Sequence, residues 1–279
     1  MAVFTETKSA QQIAELKERL APHAKRETQP QYTYWQLKLE ECTVTAYTSG
    51  KVVWQGADLD WLIPERKETV GFPQAGSDEV GTGDYFGPVV VASCIVDEKA
   101  APMLEKLGIT DSKKMTDDII RKVAPVVSES CPHSILIVMP EKYNEVQKSH
   151  NMVDMKCLLH NKAWLNLRDK GYTIPKTAVV DQFVSEKSYY RYLKDTEAYR
   201  PLIFETKAES KYLAVAAASV LARARFLEAW DRMEAHWDMK FAKGAGSAVD
   251  ADGRRFIERY GRENLGLVAK LHFKNTQKL

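Results

Sequence analysis

The chain has 279 residues and a mass of 31.6 kDa, more than one compact core requires, so its length allows about two domains. Apolar residues make up 44% and charged residues 28%, which excludes global disorder. Runs such as Val89 to Val96 fall far short of the roughly 18 apolar residues that span a bilayer. The formal net charge of +2 is nearly neutral, yet residues 254–279 carry seven Lys and Arg against two acids. Such a basic tail suits an anionic partner or a solvated helix equally.

Glu6, Lys8 and Gln11 stand where a secretory signal needs an apolar core, so the expectation is a cytoplasmic protein with no membrane segment. Cys42, Cys94, Cys131 and Cys157 are scattered, without a CxxC pair, and three of them lie in apolar surroundings. That pattern predicts buried thiols rather than a zinc site or a disulfide framework.

In chain order, Ala10 to Leu20 places Ile13, Leu16 and Leu20 at helical spacing, with Pro22 as a stop. From Tyr32 to Gln55 the pattern broadly alternates around a Ser49-Gly50 turn, which predicts antiparallel strands. Ala57 to Leu62 is compatible with a second helix. Pro64 through Gly76 reads as a linker, which places the domain boundary near Glu65 to Pro73 and divides the chain into residues 1–68 and 69–279. Ala75–Val80 and Val89–Val96 then read as a hairpin joined by the glycine-rich turn Gly81 to Pro88.

Ser134–Met139 and Thr177–Asp181 are buried-strand candidates. A helical pattern from about Ile119 precedes the first, and Val153–Leu167 forms a helix between them. This alternation implies an α/β layer fold. Lys211–Trp237 is a long Ala-rich helix, and Arg255–Tyr260 and Leu267–Leu271 extend the helical C-terminus.

The chemistry concentrates in Gly76-Ser-Asp-Glu-Val-Gly-Thr-Gly-Asp-Tyr-Phe-Gly-Pro88, where Asp78 and Glu79 stand at a strand end. Neighbouring strand residues point to opposite faces, so the two acids meet one ion only if the strand end bends or if they serve different metals. Capping a turn in a solvated loop is the alternative role. Asp181 ends the run Thr177–Val180 and Glu209 precedes the long helix, so these acids can converge with the pair at one sheet edge, the usual ligand position in an α/β fold. Such a carboxylate cluster favours Mg²⁺ or Mn²⁺ over zinc.

These motifs resemble the type 2 ribonucleases H, and within them ribonuclease HIII. The run Gly76–Pro88 is similar to the family's signature loop, Asp111-Ser-Lys-Lys-Met-Thr116 to its second motif, and Asp181-Gln-Phe183 to its third. Lys207-Ala-Glu-Ser-Lys-Tyr212 with Ala216–Arg223, and the terminal His272-Phe-Lys-Asn-Thr276, complete the match. Gly81-Thr82-Gly83 and Glu209, where ribonuclease HII has Gly-Arg-Gly and Asp, point to HIII.

The resemblance implies a ribonuclease H-like mixed sheet flanked by helices, with catalytic metal ligands Asp78, Glu79, Asp181 and Glu209. Glu205 is a competing candidate for the fourth acid. It also implies a small N-terminal α+β domain similar to the TATA-box-binding protein fold, in which Tyr32, Tyr34, Trp35, Lys38, Lys51 and Trp54 form either a packed face or a nucleic-acid platform.

The implied activity is endonucleolytic hydrolysis of the RNA strand of RNA/DNA hybrids with two Mg²⁺ or Mn²⁺ ions, leaving 3′-hydroxyl and 5′-phosphate ends. Gly81, Thr82 and Gly83 are candidates to approach the RNA 2′-hydroxyl, and Lys113, Lys114, Lys211, His272 and Lys274 to contact phosphates. No obligate protein partner is evident, and a monomer is expected. Two other classes stay open on the residues alone: a noncatalytic nucleic-acid-binding module, and a carboxylate-metal hydrolase of small phosphate esters.

Overall fold

The computed structural model describes residues 2–40, 42–56, 71–109 and 115–279. The chain divides into two compact units, Met1–Lys67 and Glu68–Leu279. The part of the expected linker from 64 to 70 and the helix expected over 57–62 lie outside the described residues.

The first unit is a five-stranded antiparallel sheet with one helix. Its elements are β1 (Ala2–Thr7), α1 (Ala10–Leu20), β2 (Arg26–Thr28), β3 (Thr33–Lys38), β4 (Cys42–Tyr47) and β5 (Lys51–Gly56), with strand order β1-β5-β4-β3-β2. Helix α1 begins where expected because Ser9 and Gln12 form a reciprocal capping box. Its Ile13, Leu16 and Leu20 pack with Trp35, Leu37, Val44, Val52 and Trp54 from one face of the sheet. Strands β1 and β2 were not expected from the sequence. Tyr32 lies in the turn before β3, in the left-handed region at φ +66°.

The second unit is an α/β layer structure. It runs β6 (Gln74–Val80), β7 (Val89–Val96), α2 (Ala101–Lys106), α3 (Asp117–Ser130), β8 (His133–Val138), α4 (Pro140–Gln147), α5 (Met152–Asp169), β9 (Ala178–Asp181), α6 (Glu186–Tyr192), β10 (Ile203–Glu205), α7 (Leu213–His236), α8 (Ser247–Tyr260) and α9 (Leu265–Val268). The mixed sheet has the order β10-β9-β6-β7-β8. Strands β10, β9 and β6 are parallel, while β7 is antiparallel to both β6 and β8.

Two cores cover the two sheet faces. On one, Val90, Ala92, Cys94 and Val96 pack with α3 and α7. On the other, Ala75, Ile95, Ala178 and Val180 pack with Cys157, Trp164 and Leu167 of α5 and Tyr189 of α6. Gly76 has a packing reason: a Cβ there would lie 2.3 Å from the backbone nitrogen of Val215. The alanine-rich α7 therefore crosses β6 at backbone distance.

Three sequence expectations need adjustment. Strand β8 is an edge strand with Ile137 exposed rather than a fully buried one. The segment expected as a linker up to Gly76 is already strand from Gln74. The helix expected over Leu267–Leu271 ends at Val268, because Ala269 turns extended and pairs with Phe86. All four cysteines are buried. Among the described residues no helix is long and apolar enough to cross a membrane.

Candidate active site

Strands β6 and β9 run parallel with Ser77 opposite Val180, so the following residues, Asp78 and Asp181, take neighbouring positions at one sheet edge. Alternation along β6 turns Gly76 and Asp78 toward α7, and Ser77 and Glu79 toward α5. The contacts agree: the Ser219 hydroxyl of α7 hydrogen-bonds Asp78, whereas Lys156 and His160 of α5 hold Glu79. The adjacent acids thus serve opposite faces.

Asp78 also accepts a hydrogen bond from the Glu79 backbone N–H at 2.7 Å through Oδ1. Burial, then repulsion from Glu79 and Asp181, push its carboxyl up to about 7 against the pull of these hydrogen bonds. Asp181 accepts the Ala208 N–H at 2.9 Å. That bond anchors the single 3-10 turn Ala208–Ser210, which carries Glu209, only 6% exposed. Lys207 precedes the turn at φ +55°.

Glu205 pairs in register with Asp181, but its side chain is bound to Lys211 and accepts the Tyr212 hydroxyl at 2.7 Å. These bonds hold its carboxyl below the usual range, Lys211 contributing most. The Lys211 side chain is correspondingly engaged within the fold rather than pointing free.

The α5 side carries residues that sequence reasoning missed. His160, fully buried, donates from Nε2 to Glu79 Oε2 at 2.9 Å and shares a 2.8 Å hydrogen bond between Nδ1 and the Ser77 hydroxyl. Lys156 is paired with Glu79 Oε1, and its Nζ lies 3.9 Å from the Phe183 ring centroid. Phe183 also packs against the His160 ring at 5.2 Å. Burial alone would push the Glu79 carboxyl up, yet His160 and Lys156 together bring it below its ordinary value. Lys156 and His160 are four apart on one helix face, a spacing visible in the sequence that acquires meaning only once Glu79 is placed opposite.

The loop after β6 is tightly built. Gly81 has φ +89°, and a Cβ there would meet the Pro88 carbonyl at 2.1 Å, whereas nothing lies within 4 Å of a Cβ on Gly83. Thr82 between them is half-buried. The C-terminal segment latches the loop: the Lys270 N–H donates to the Tyr85 carbonyl and the Gly87 N–H to that of Val268. Asp84 Oδ1 accepts the Gly244 N–H at 2.6 Å. The Lys270 side chain is fully buried and donates to the carbonyls of Phe86 at 3.1 Å and Gly87 at 2.6 Å. Burial, opposed by Asp84, lowers its amine to about 7.

Among the other phosphate-contact candidates, Lys113 and Lys114 lie outside the described residues. His272 is exposed and packs beside Tyr143 and Phe273 at ring distances of 5.4 and 4.7 Å. Lys274 is exposed at the start of the last 3-10 turn.

Among the described residues no three His, Cys, Asp or Glu side chains are grouped as metal ligands. The donor chemistry nonetheless suits a hard divalent cation, since Asp78 and Asp181 present carboxylate oxygens from one sheet edge beside the turn that holds Glu209. Burial, and then the repulsion of Glu79 and Asp181, keep the Asp78 carboxyl raised, and a divalent charge would offset both.

Comparison with known proteins supplies the family. A family model described as Ribonuclease HII matches residues 75–276, and one described as Domain of unknown function (DUF3378) matches residues 4–61. Ribonuclease HIII of Enterococcus faecalis (strain ATCC 700802 / V583) is 39% identical over 292 residues, which cover 97% of this chain and 95% of that one. Ribonuclease HIII of Streptococcus pneumoniae (strain CGSP14) is 39% identical over 288 residues, covering 100% and 99%. The crystal structure of Bst-RNase HIII in complex with Mn²⁺ is similar with a TM-score of 0.74 at 32% identity, covering 99% of this chain and 97% of that one. With matched motifs in order along a fold of the same kind, the chain belongs to the type 2 ribonucleases H, and within them to ribonuclease HIII.

Proposed function

We infer that this chain cuts the RNA strand of RNA/DNA hybrids by in-line hydrolysis assisted by two divalent ions, leaving 3′-hydroxyl and 5′-phosphate ends. Family membership makes the chain a hydrolytic endonuclease. The observation that carries the rest is the placement of Asp78 and Asp181 at neighbouring strand ends on one edge of the sheet, with Glu209 in the turn that Asp181 anchors.

Asp78, Glu79, Asp181 and Glu209 would hold Mg²⁺ or Mn²⁺, and the related Bst enzyme has been crystallised with Mn²⁺. When bound, such ions supply Lewis-acid polarisation of the scissile phosphate and lower the proton affinity of water. The chain's own residues arrange the rest. Ser219 and the Glu79 N–H fix the Asp78 carboxylate, the Ala208 N–H fixes that of Asp181, and no side-chain nucleophile is required. The Gly81-Thr82-Gly83 run offers backbone to the minor groove, where the 2′-hydroxyl marks RNA. Gly83 is open on its outer side.

The first unit suits a supporting role in holding the duplex. The sheet face opposite α1 carries Tyr34, Gln36 and Lys38 of β3, Thr43, Thr45 and Tyr47 of β4, and Lys51 and Gln55 of β5. Arg26 lies across from Lys38, and no carboxylate stands among these residues. Trp35 and Trp54 belong instead to the buried core.

The test is cleavage of labelled RNA/DNA hybrid, all-RNA, all-DNA and single-ribonucleotide duplexes with Mg²⁺ and Mn²⁺, using the wild type and Asp78→Asn. Hybrid cleavage that Asp78→Asn abolishes while hybrid binding survives is expected. Unaltered cleavage by that variant would refute the assignment.

A further inference from the structure

Glu79 has both carboxylate oxygens engaged from α5, and its two partners differ in how firmly they are held. His160 is fully buried, anchored on its far side by Ser77, and packed against Phe183. Lys156 reaches the other oxygen on a flexible four-carbon stem and rests over the face of Phe183. An ammonium so placed is a point charge that another cation can replace without disturbing the fold. The imidazole cannot leave without opening the α5 core.

The two sides of the sheet edge also differ in charge. Toward α7, Asp78 meets a neutral hydroxyl and the repulsion of Glu79 and Asp181. Toward α5, Glu79 meets an ammonium and a histidine in a nearly closed space, where side-chain exposures are 12% for Lys156 and 13% for Glu79. Of the two adjacent acids, the resident ammonium therefore sits on Glu79 and not on Asp78.

We propose that Lys156 is a built-in counter-cation that competes with a divalent ion for Glu79, so that full occupancy of the carboxylate site requires the ammonium to be displaced from Oε1. The exchange leaves His160 on Oε2 and keeps Glu79 oriented throughout. Lys156 is in this sense a positioning residue that sets the threshold for ion binding, and the inference rests on the reading of Glu79 as a metal ligand. Neither a bond nor a proton changes hands in the exchange; one cation replaces another.

The experiment is calorimetric titration of the full chain with Mn²⁺ alone, without nucleic acid, on the wild type, Lys156→Met, Lys156→Arg and Asp78→Asn. Lys156→Met is expected to bind Mn²⁺ about tenfold more tightly, because a neighbouring like charge has been removed. Lys156→Arg, which keeps the charge, should stay near the wild-type affinity. Thermal unfolding identifies any variant that fails to fold, and Lys156→Gln then stands in for Lys156→Met. Asp78-dependent Mn²⁺ binding that Lys156→Met leaves unchanged or weakens would overturn the proposal while the metal reading survives. Binding that is absent, or indifferent to Asp78, would overturn both.

Discussion

The Nζ atom of Lys270 lies 2.6 Å from the carbonyl oxygen of Gly87, in the interior of the protein rather than on the basic surface that its sequence position suggests. A second carbonyl, that of Phe86, lies 3.1 Å away. A neutral amine has two protons to donate, so both carbonyls stay satisfied without a charge at this depth.

This arrangement makes a pH prediction. Burial lowers the Lys270 amine from 10.5 to about 7, so between these values the unfolded chain holds a proton that the folded chain has released. Stability then rises with pH across that window. Lys270→Met lacks the rise, and the stability gap between the wild type and the variant should shift in favour of the wild type by up to about 4 kcal/mol from pH 7 to pH 10. Denaturant unfolding of both proteins at pH 7, 8.5 and 10 checks it; parallel pH curves would count against a buried amine.

Substitutions at three glycines should separate folding from function. Gly76→Ala and Gly81→Ala drive a Cβ into backbone, and Gly81 is also in the left-handed region. Each is expected to cost about 3 kcal/mol. Gly83→Ala meets no atom within 4 Å and should change stability by less than about 0.5 kcal/mol. If the loop backbone contacts substrate, Gly83→Ala nonetheless raises KM for hybrid. Thermal melts paired with steady-state kinetics make the distinction.

Asp78→Asn should stabilise the protein when no divalent ion is added. The folded carboxyl, raised from 3.8 to about 7, favours the protonated form, so its contribution to stability is lost as pH rises through that window. At pH 8 the charged carboxylate is a net cost, and its removal should add about 1–3 kcal/mol. Added Mn²⁺ should raise the melting temperature of the wild type and leave that of the variant nearly unchanged. A variant less stable than the wild type in chelator would contradict a charge made costly by burial and by its acidic neighbours.

The first unit permits a contrast between its two faces. Lys38→Gln with Tyr34→Ala, both on the open face, should weaken hybrid binding and reduce its salt slope by about one, with kcat retained. Trp54→Ala empties a core position and should cost about 3–5 kcal/mol. Equal binding by the double variant and the wild type would remove the open face from the substrate path.

Much of the second unit was legible in the sequence because its continuous apolar runs are bounded by turns and its longest helix is rich in alanine. The hairpin β6–β7, the strand ending at Asp181 and the alanine-rich α7 all leave such marks. Strand β10 did not, since three residues carry too little pattern, and β2 is as short. The role of Lys156 and His160 was hidden for a different reason: a helix face acquires chemistry only when the strand opposite is known. The basic tail was misleading as a surface, because Lys270 is buried and Lys278 bridges to Asp250 at 3.0 Å.

The alternation of Asp78 and Glu79 also makes strand register a selector of chemistry. A deletion or insertion of one residue within β6 would leave the motif intact as text but exchange its faces. Asp78 would then be delivered to the ammonium and imidazole of α5, and Glu79 to the hydroxyl of Ser219. The spacing from Gly76, wedged against the Val215 backbone, fixes that choice two residues before the first acid, so a close backbone contact in the sheet also decides which carboxylate looks which way.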